Sequence, residues 1–213
     1  MQNQLGQVGA GGVMPGSESG TIFVPGVGPL RITDWRQDLI YDMEVLPVAI
    51  AAGQQFTYFR NLAIAGVPKT RLETNMVTPS QLPSGHRAIV YGIHFLPRPN
   101  SDWRDAQAVL ANGYLEFVTG DTKREKMGPL WHFPSPFGLT GGVAIDGAGA
   151  YTEIGTINNG VPSEAAQGKM AIPIDLTNEM TFQANLIFFN AVALGAVLNA
   201  YVYLRAYIQT PVR

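Results

Sequence analysis

The stretch LNAYVYLRAYIQ, residues 198–209, decides the fold class because its side chains alternate without a break. Every second residue from Leu198 to Ile208 is apolar, and the residues between them are Asn, Tyr, Arg and Gln. Successive side chains of a β-strand point to opposite faces, so this period of two predicts a strand with one face in a core. The other face is aromatic, and tyrosines supply contact area at low entropic cost. We predict that this second face contacts a neighbouring subunit, or else makes ordinary cross-strand contacts within its own sheet.

The sequence before this strand predicts a mainly β protein with one short helix. Pro47 and Pro173 predict that their strands break or lie at a sheet edge. The predicted helix takes Ser101 as its N-cap and ends before Gly113. This set of elements predicts a β-sandwich, and more specifically a single jelly roll. The strand patterns lie at 39–50, 54–60, 87–96, 114–119, 170–176 and 180–189.

Glycine-rich segments set the predicted domain organisation. Residues 1–30 contain eight glycines and three prolines, too little apolar sequence to fold alone, so they predict a flexible arm. Its TIFVPG segment (21–26) could add a strand to a neighbouring subunit. Residues 31–213 are the predicted sandwich domain, with a long loop excursion at 134–168.

Five side chains are therefore candidate interface residues. Four lie on the aromatic face of the last strand, and one belongs to the arm. They are Tyr201, Tyr203, Arg205, Tyr207 and Phe23.

The composition excludes several classes of function. The 213 residues include no cysteine, which rules out disulfides, thiol nucleophiles and thiolate zinc sites. Lys and Arg number 14 against 16 Asp and Glu, and the one basic cluster, at 123–126, contains Glu125. This is not the charge pattern of a nucleic-acid-binding protein. Charged residues make up 14% of the chain, against about 25% in an ordinary domain. We therefore expect other subunits to cover part of the surface.

The search for catalytic or metal-binding motifs finds none. The chain has no G-x-S-x-G, no phosphate-binding G-x-x-x-x-G-K-[ST] and no H-E-x-x-H. Asp42 and Glu44 share one strand face, which we predict to be solvated, with an ion pair to an arginine of another subunit as the alternative. The apolar run 184–204 is long enough for a bilayer, but its period of two favours buried strands. We expect no enzyme activity, no cofactor, no metal and no small-molecule substrate.

One segment is similar to a known family of proteins. Residues 56–95 read FTYFRNLAIAGVPKTRLETNMVTPSQLPSGHRAIVYGIHF: an aromatic strand, a Lys-Thr turn, LETNM at 72–76, and QLP at 81–83 before a long strand. This pattern resembles virion proteins of phages, in particular the single-jelly-roll capsid proteins of tailless icosahedral phages that contain an internal membrane. The closing VYLRAYIQTPV (202–212) is similar to their last strand.

The resemblance implies a coat or coat-associated subunit that self-assembles into a virion shell, with no catalytic residues. Its partners would be copies of itself and other virion proteins, and an internal membrane surface is a further candidate. The excursion at 134–168 departs from the family pattern, which leaves open a vertex, spike or decoration role. A receptor- or carbohydrate-binding β-sandwich is the alternative function.

Overall fold

The computed structural model of the protein describes residues 21–24, 27–31, 34–98, 102–120, 122–135, 140–145, 151–158 and 169–210. These residues are mainly β-strand with one α-helix and several antiparallel sheets, consistent with a β-sandwich. The helix α1 spans Trp103–Asn112, and a single 3-10 turn spans Leu130–His132. The strands are β1 (Thr21–Val24), β2 (Gly28–Arg31), β3 (Trp35–Leu46), β4 (Ala49–Ile50), β5 (Gln55–Tyr58), β6 (Ala63–Ile64), β7 (Val67–Pro68), β8 (Arg87–Pro97), β9 (Gly113–Thr119), β10 (Lys123–Pro129), β11 (Thr140–Ile145), β12 (Tyr151–Asn158), β13 (Lys169–Thr177), β14 (Phe182–Phe188), β15 (Val192–Ala193) and β16 (Leu198–Gln209).

Two four-stranded sheets carry the fold. The first sheet has the order β13-β8-β16-β3, and the second has the order β10-β9-β14-β5. Every neighbouring pair in both sheets is antiparallel. The strand β16 pairs with β3 along its whole length, from Leu198 opposite Leu46 to Gln209 opposite Trp35. It also pairs with β8 on its other side, so β16 is a central strand.

The core lies between the inner faces of these two sheets. Val202 and Leu204 of β16 are fully buried, as the alternation in 198–209 predicts. Phe117 and Phe182 of the second sheet belong to the same buried cluster, and their ring centroids lie 6.2 Å apart. A fully buried side chain of this kind stabilises the fold by about 1.5–3 kcal/mol through the hydrophobic effect. The prediction for the inner face of the last strand is confirmed.

Other strand predictions are confirmed as well. The strand β8 is buried along 88–97 and has a partner on each side, as expected of a central strand covered on both faces. Pro47 separates β3 from the short β4, and Pro173 lies in β13 at the edge of the first sheet. The register between β13 and β8 is interrupted between Lys169 and Ile174, around this proline.

The helix begins later than predicted. Its N-cap is Asp102, whose carboxylate accepts a hydrogen bond from the Arg104 backbone N–H at 2.8 Å, so the assignment of Ser101 as the cap is wrong. Both are residue types that favour this position, and the cap geometry selects the second. Asp105 in the first turn is buried, and it accepts hydrogen bonds from the N–H groups of Gly195 and Ala196. The helix is thereby fastened to the loop before β16.

The glycine at the end of the helix is required for a close approach. Gly113 ends α1 and begins β9 without an intervening loop. A Cβ atom there would lie 2.4 Å from Cδ1 of Leu130 and 2.9 Å from the Val109 carbonyl oxygen. The helix can therefore pass directly into the sheet only with glycine at this position.

Some elements of the structure were not predicted. The basic cluster at 123–126 lies in β10, an edge strand of the second sheet. The apolar run 184–204 contains β14, β15 and the first half of β16. Within the described ranges, no helix combines the length and the apolar character needed to cross a bilayer.

The predicted arm and excursion fall partly outside the described residues. Residues 1–20 lie outside them, whereas β1 and β2 pair as a hairpin. Val24 and Leu30 of this hairpin pack against Ile89 on the outer face of the first sheet. Within the excursion, β11 and β12 pair with each other, and 136–139, 146–150 and 159–168 lie outside the described residues.

Candidate interface on the outer face of the first sheet

The outer face of the first sheet carries a row of aromatic side chains. Tyr203 lies opposite Tyr41 of β3 on one side and His94 of β8 on the other. The rings of Tyr201 and Tyr203 stack with their centroids 5.5 Å apart, and Tyr41 lies 5.9 Å from Tyr203. The sequence places these rings together because alternate residues of paired strands share a face.

The segment 70–76 of the same chain covers part of this tyrosine row. The Tyr201 hydroxyl donates to the Leu72 carbonyl oxygen at 3.1 Å, and the Tyr41 hydroxyl donates to the Arg71 carbonyl oxygen. Two of the three tyrosines thus anchor a loop of their own subunit.

The same segment also closes the outer edge of β3. The Asn75 side-chain oxygen accepts from the Tyr41 N–H at 2.9 Å, and its amide nitrogen donates to the Leu39 carbonyl oxygen at 2.6 Å. Asp42 and Thr74 form an isolated antiparallel bridge beside this contact. An unpaired edge would offer its backbone groups to another strand, and these contacts satisfy part of it. The LETNM sequence at 72–76 therefore has a structural role in sealing the sheet edge.

A second group of contacts lies farther along the outer face. The rings of Tyr91 and Tyr207 are 5.0 Å apart, and the Arg205 guanidinium lies over the Tyr91 ring at 5.5 Å. Gln37 donates a hydrogen bond to the Tyr91 hydroxyl at 2.7 Å. Tyr207 also packs against the β1–β2 hairpin cluster.

The five predicted interface residues therefore fall into three places. Tyr201 and Tyr203 share the tyrosine row, Arg205 and Tyr207 share the group around Tyr91, and Phe23 lies on the hairpin. Phe23 is 46% exposed. The four residues of β16 are half-buried or buried in contacts with their own chain, and their contact with a neighbouring subunit stays a prediction.

Burial controls the protonation of the tyrosine row. Burial raises the pKa of Tyr203 to about 12, and the nearby Tyr201 and Tyr41 hydroxyls add to the shift. Burial likewise raises the pKa of Tyr91, although Arg205 opposes the shift. A tyrosine hydroxyl is neutral at neutral pH even with its ordinary pKa of about 10, and these shifts extend its neutral range to higher pH.

His94 is buried in its neutral form beside this row. Burial lowers its pKa to about 4; a hydrogen bond to the Pro134 carbonyl opposes this shift, and the charges of Arg205 and Lys126 add to it. Since Nδ1 contacts a carbonyl oxygen, Nδ1 carries the proton and donates it. No hydrogen-bond partner of Nε2 occurs among the described residues.

A buried ion cluster lies on the inner face of the same sheet, at its β3 edge. The Lys69 Nζ is 2.9 Å from Oδ1 and 3.1 Å from Oδ2 of Asp42, and 2.8 Å from Oε1 of Glu44. The side chains of Lys69 and Asp42 are fully buried. The prediction of a solvated acidic face is therefore wrong, because Lys69 of the same chain closes over both carboxylates.

Aromatic residues enclose this ion cluster. Asp42 accepts a hydrogen bond from the Phe59 N–H at 2.6 Å, and Phe59 takes a left-handed backbone conformation with φ of 68°. That conformation costs a non-glycine residue about 1–2 kcal/mol, and here it directs the N–H to the carboxylate. The Tyr58 hydroxyl is buried next to the cluster with no hydrogen-bond partner among the described residues. Burial raises the pKa of Asp42 and Glu44, and the opposing contacts with Lys69 do not cancel the shift.

Sequence reasoning missed this cluster because Lys69 and Asp42 lie 27 positions apart. One signal was available: Asp42 alternates with Ile40 and Leu46, two residues of the core. The even-numbered side of β3 is thus an inner face that carries charges, and charges in a core require a partner.

Within the described ranges, no group of three or more His, Cys, Asp or Glu side chains is placed to hold a metal ion. No family model, curated protein or solved structure matches this chain.

Proposed function

We propose that this chain is a viral structural protein with a jelly-roll fold, a capsid or capsid-associated subunit that self-assembles into the virion shell. The pairing of strands in the two large sheets carries this proposal. Among their eight strands, the first in chain order pairs with the eighth (β3 with β16), the second with the seventh, the third with the sixth, and the fourth with the fifth. This nested pairing is the order expected of a chain that is folded as one long hairpin and rolled into two sheets, and it supports the jelly-roll proposal.

The resemblance of 56–95 to phage coat proteins favours the shell over other uses of a jelly roll. Jelly rolls occur in viral capsids, lectins and cupins. The Lys-Thr turn and LETNM supply the ion cluster and the edge seal, so the residues behind the resemblance also support the sheet. A subunit that must keep its shape under contact from several neighbours benefits from such a closed edge.

Exposed apolar side chains support contacts with several neighbours. Leu72 is 81% exposed beside the sealed edge, and Ile172 is 82% exposed on the opposite edge strand β13. Further exposed apolar side chains are Val67, Val77, Trp131, Phe189 and Val197. They occur on separate segments, as expected of a subunit with contacts on more than one side. Copies of the chain and other virion proteins are the proposed partners, and an internal membrane surface is a further one.

The outer face of the second sheet favours a second candidate function, a receptor- or carbohydrate-binding spike or decoration protein. Asn185 accepts hydrogen bonds from Thr57 and Gln183, so three neutral polar side chains lie together on this face, beside the ion pair of Glu116 and Arg124. The rings of Tyr114 and Phe189 lie 5.6 Å apart at its end. Amide groups beside aromatic rings are suited to the hydroxyls and apolar faces of sugars.

Electron microscopy of the purified full chain over a range of concentrations tests the shell proposal. We expect shells, or regular fragments of shells, at high concentration. Leu72→Asp and Ile172→Asp add a charge at exposed positions, so we expect both variants to fold but to assemble poorly. A monomer at every concentration that binds glycans in an array would favour the second candidate instead.

A further inference from the structure

We propose that Lys69 and Asp42 become joined by an amide bond within the chain, and that Glu44 moves the protons for this reaction. The Lys69 Nζ lies within hydrogen-bond distance of both Asp42 carboxylate oxygens and of Glu44 Oε1. A nucleophile, an acyl group and a general base are thus in contact, the set of groups that acyl transfer requires. The proposal does not depend on the function proposed above.

The backbone supplies a fourth group. The Phe59 N–H donates to Oδ2 of Asp42 at 2.6 Å. Attack on Cγ would place a developing negative charge on a carboxyl oxygen, and a fixed N–H donor stabilises such a charge strongly in a water-excluded site. The left-handed conformation of Phe59 holds this donor in place before the reaction.

The surroundings shield the Lys69 and Asp42 side chains from water and favour the reactive form of the acyl group. The Lys69 and Asp42 side chains are fully buried, and Tyr58 and Phe59 are buried beside them. Two carboxylates and one ammonium would leave a net negative charge in this pocket, so one bound proton makes the cluster neutral. The raised pKa of both carboxyls agrees with such a proton. A protonated Asp42 is the form that can release water.

The reaction balances without any further reactant. Glu44 takes a proton from the Lys69 ammonium, and the amine lone pair attacks Cγ of the protonated Asp42. The N–Cγ bond forms, one C–O bond of Asp42 breaks, and its hydroxyl leaves as water with a proton passed from the amine through Glu44. The products are one amide, one water molecule and a neutral Glu44. No atom is oxidised or reduced.

Two physical terms favour the product. The fold holds the amine against the carboxyl, so the entropic cost of bringing them together has already been met. The amide also replaces an ion pair in a site where desolvation penalises charge. The bond would fasten β3 to the segment that seals its edge, and this part of the first sheet could then not separate.

The mass of the intact, folded, full-length protein tests the proposal. We expect a mass lower than that of the sequence by one water molecule. Trypsin should then yield residues 37–60 joined to residues 61–71, because the modified Lys69 is no longer a cleavage site. Tandem mass spectrometry should locate the branch at Asp42.

Two variants separate the roles of the groups. Lys69→Arg removes the nucleophile and keeps a cation, and Glu44→Gln keeps both joined groups and removes only the base; each should have the full mass of its sequence. Circular dichroism shows whether each variant is folded. If Lys69→Arg does not fold, the mass of Glu44→Gln alone tests the proposal. A full-length protein that keeps the mass of its sequence overturns the proposal. So does a loss of water located elsewhere, for example at Asp146 before Gly147, with 37–60 and 61–69 recovered as separate peptides, because an unmodified Lys69 is cleaved.

Discussion

Two neighbouring strands, β16 and β3, build the inner face of the same sheet in opposite ways. The inner side of β16 is apolar at every position from Leu198 to Ile208. The inner side of β3 carries two acids in succession, Asp42 and Glu44, between the apolar Ile40 and Leu46, and it buries Asp42 completely. The inner face of β16 is stabilised by apolar packing, whereas the inner face of β3 depends on a cation from another part of the chain.

The two inner faces differ because β16 is a central strand of the sheet and β3 is an edge strand. A central strand has neighbours on both sides, so nothing can reach its inner face except the opposing sheet. An edge strand is open on one side, and here the segment 62–76 enters there with Lys69 and Asn75. Buried charge is therefore found where a partner can reach it, and it makes the edge dependent on that partner.

Lys69→Met should cause the largest loss of stability, because it removes the cation on which the inner face of β3 depends. It leaves two carboxyls buried without a cation, and breaking a buried ion pair in this way costs about 3–5 kcal/mol. Loss of the proposed amide would add to the cost. Urea unfolding of the variant and the wild type at pH 8 measures the difference.

The pH dependence of that cost provides the control. In the folded state, burial raises the pKa of Asp42 and Glu44, and Lys69 opposes this shift. Without Lys69 the folded-state pKa values therefore lie farther above those of the unfolded chain. The penalty is therefore present well above the ordinary carboxyl pKa, and it shrinks as the pH falls through the raised folded values. A cost that is equal at pH 8 and pH 5 would mean that lost packing, and not charge, destabilises the variant.

Leu204→Ala tests the β16 side, where we expect a somewhat smaller loss. The side chain is fully buried in the core, so its truncation costs about 2–5 kcal/mol through lost burial and a residual cavity. Tyr203→Ala, one position away on the outer face, should cost less in the monomer and should weaken assembly instead. Unfolding midpoints and electron microscopy of both variants under the same conditions compare the two faces. Equal destabilisation with unchanged assembly would assign Tyr203 to internal packing.

This contrast also explains what the sequence could predict. The period of two in β16 and the apolar run in β8 are local signals, and both strands were located correctly. The strand β10, with the sequence KREKMGP, has no such signal, because it is an edge strand held by pairing with β9. The ion cluster could not be predicted because its cation and its acids are distant in sequence.

The candidate interface was predicted in part for the same reason. Alternation correctly indicates which residues of β16 share a face, and it places Tyr201 beside Tyr203. It does not indicate that the segment 70–76 and the β1–β2 hairpin of the same chain lie on that face. Those contacts depend on tertiary structure, which leaves no periodic pattern in the sequence.

His94 on β8 extends the comparison, because it is buried as a neutral group and not as an ion. Its folded pKa of about 4 lies below the ordinary value of 6.5. Below about pH 6.5 the unfolded chain therefore binds a proton that the folded chain does not bind. The folded state loses stability as the pH falls from about 6.5 to about 4. Between pH 7 and pH 5 this amounts to about 2 kcal/mol.

His94→Asn isolates that contribution. Asparagine can still donate to the Pro134 carbonyl, but it does not titrate. The variant should lose less stability than the wild type between pH 7 and pH 5, measured by urea unfolding at both values. Parallel pH profiles of the two proteins would show that His94 is not the group responsible.

Tyr201→Phe should have the smallest effect, and it tests whether the tyrosine row serves its own chain. The change removes only the hydroxyl that donates to the Leu72 carbonyl, so the net cost should be about 0.5–1.5 kcal/mol. A local readout is more sensitive than global stability, since trypsin can cleave after Arg71, next to this anchor. The native variant should be cleaved there faster than the wild type, because the released segment opens more often.

Tyr114→Phe, on the second sheet, removes a hydroxyl far from this segment and should leave the rate of cleavage after Arg71 unchanged. If Tyr201→Phe also leaves it unchanged, the hydroxyl does not hold the segment, and the outer face of β16 is more available to a neighbouring subunit than its contacts indicate.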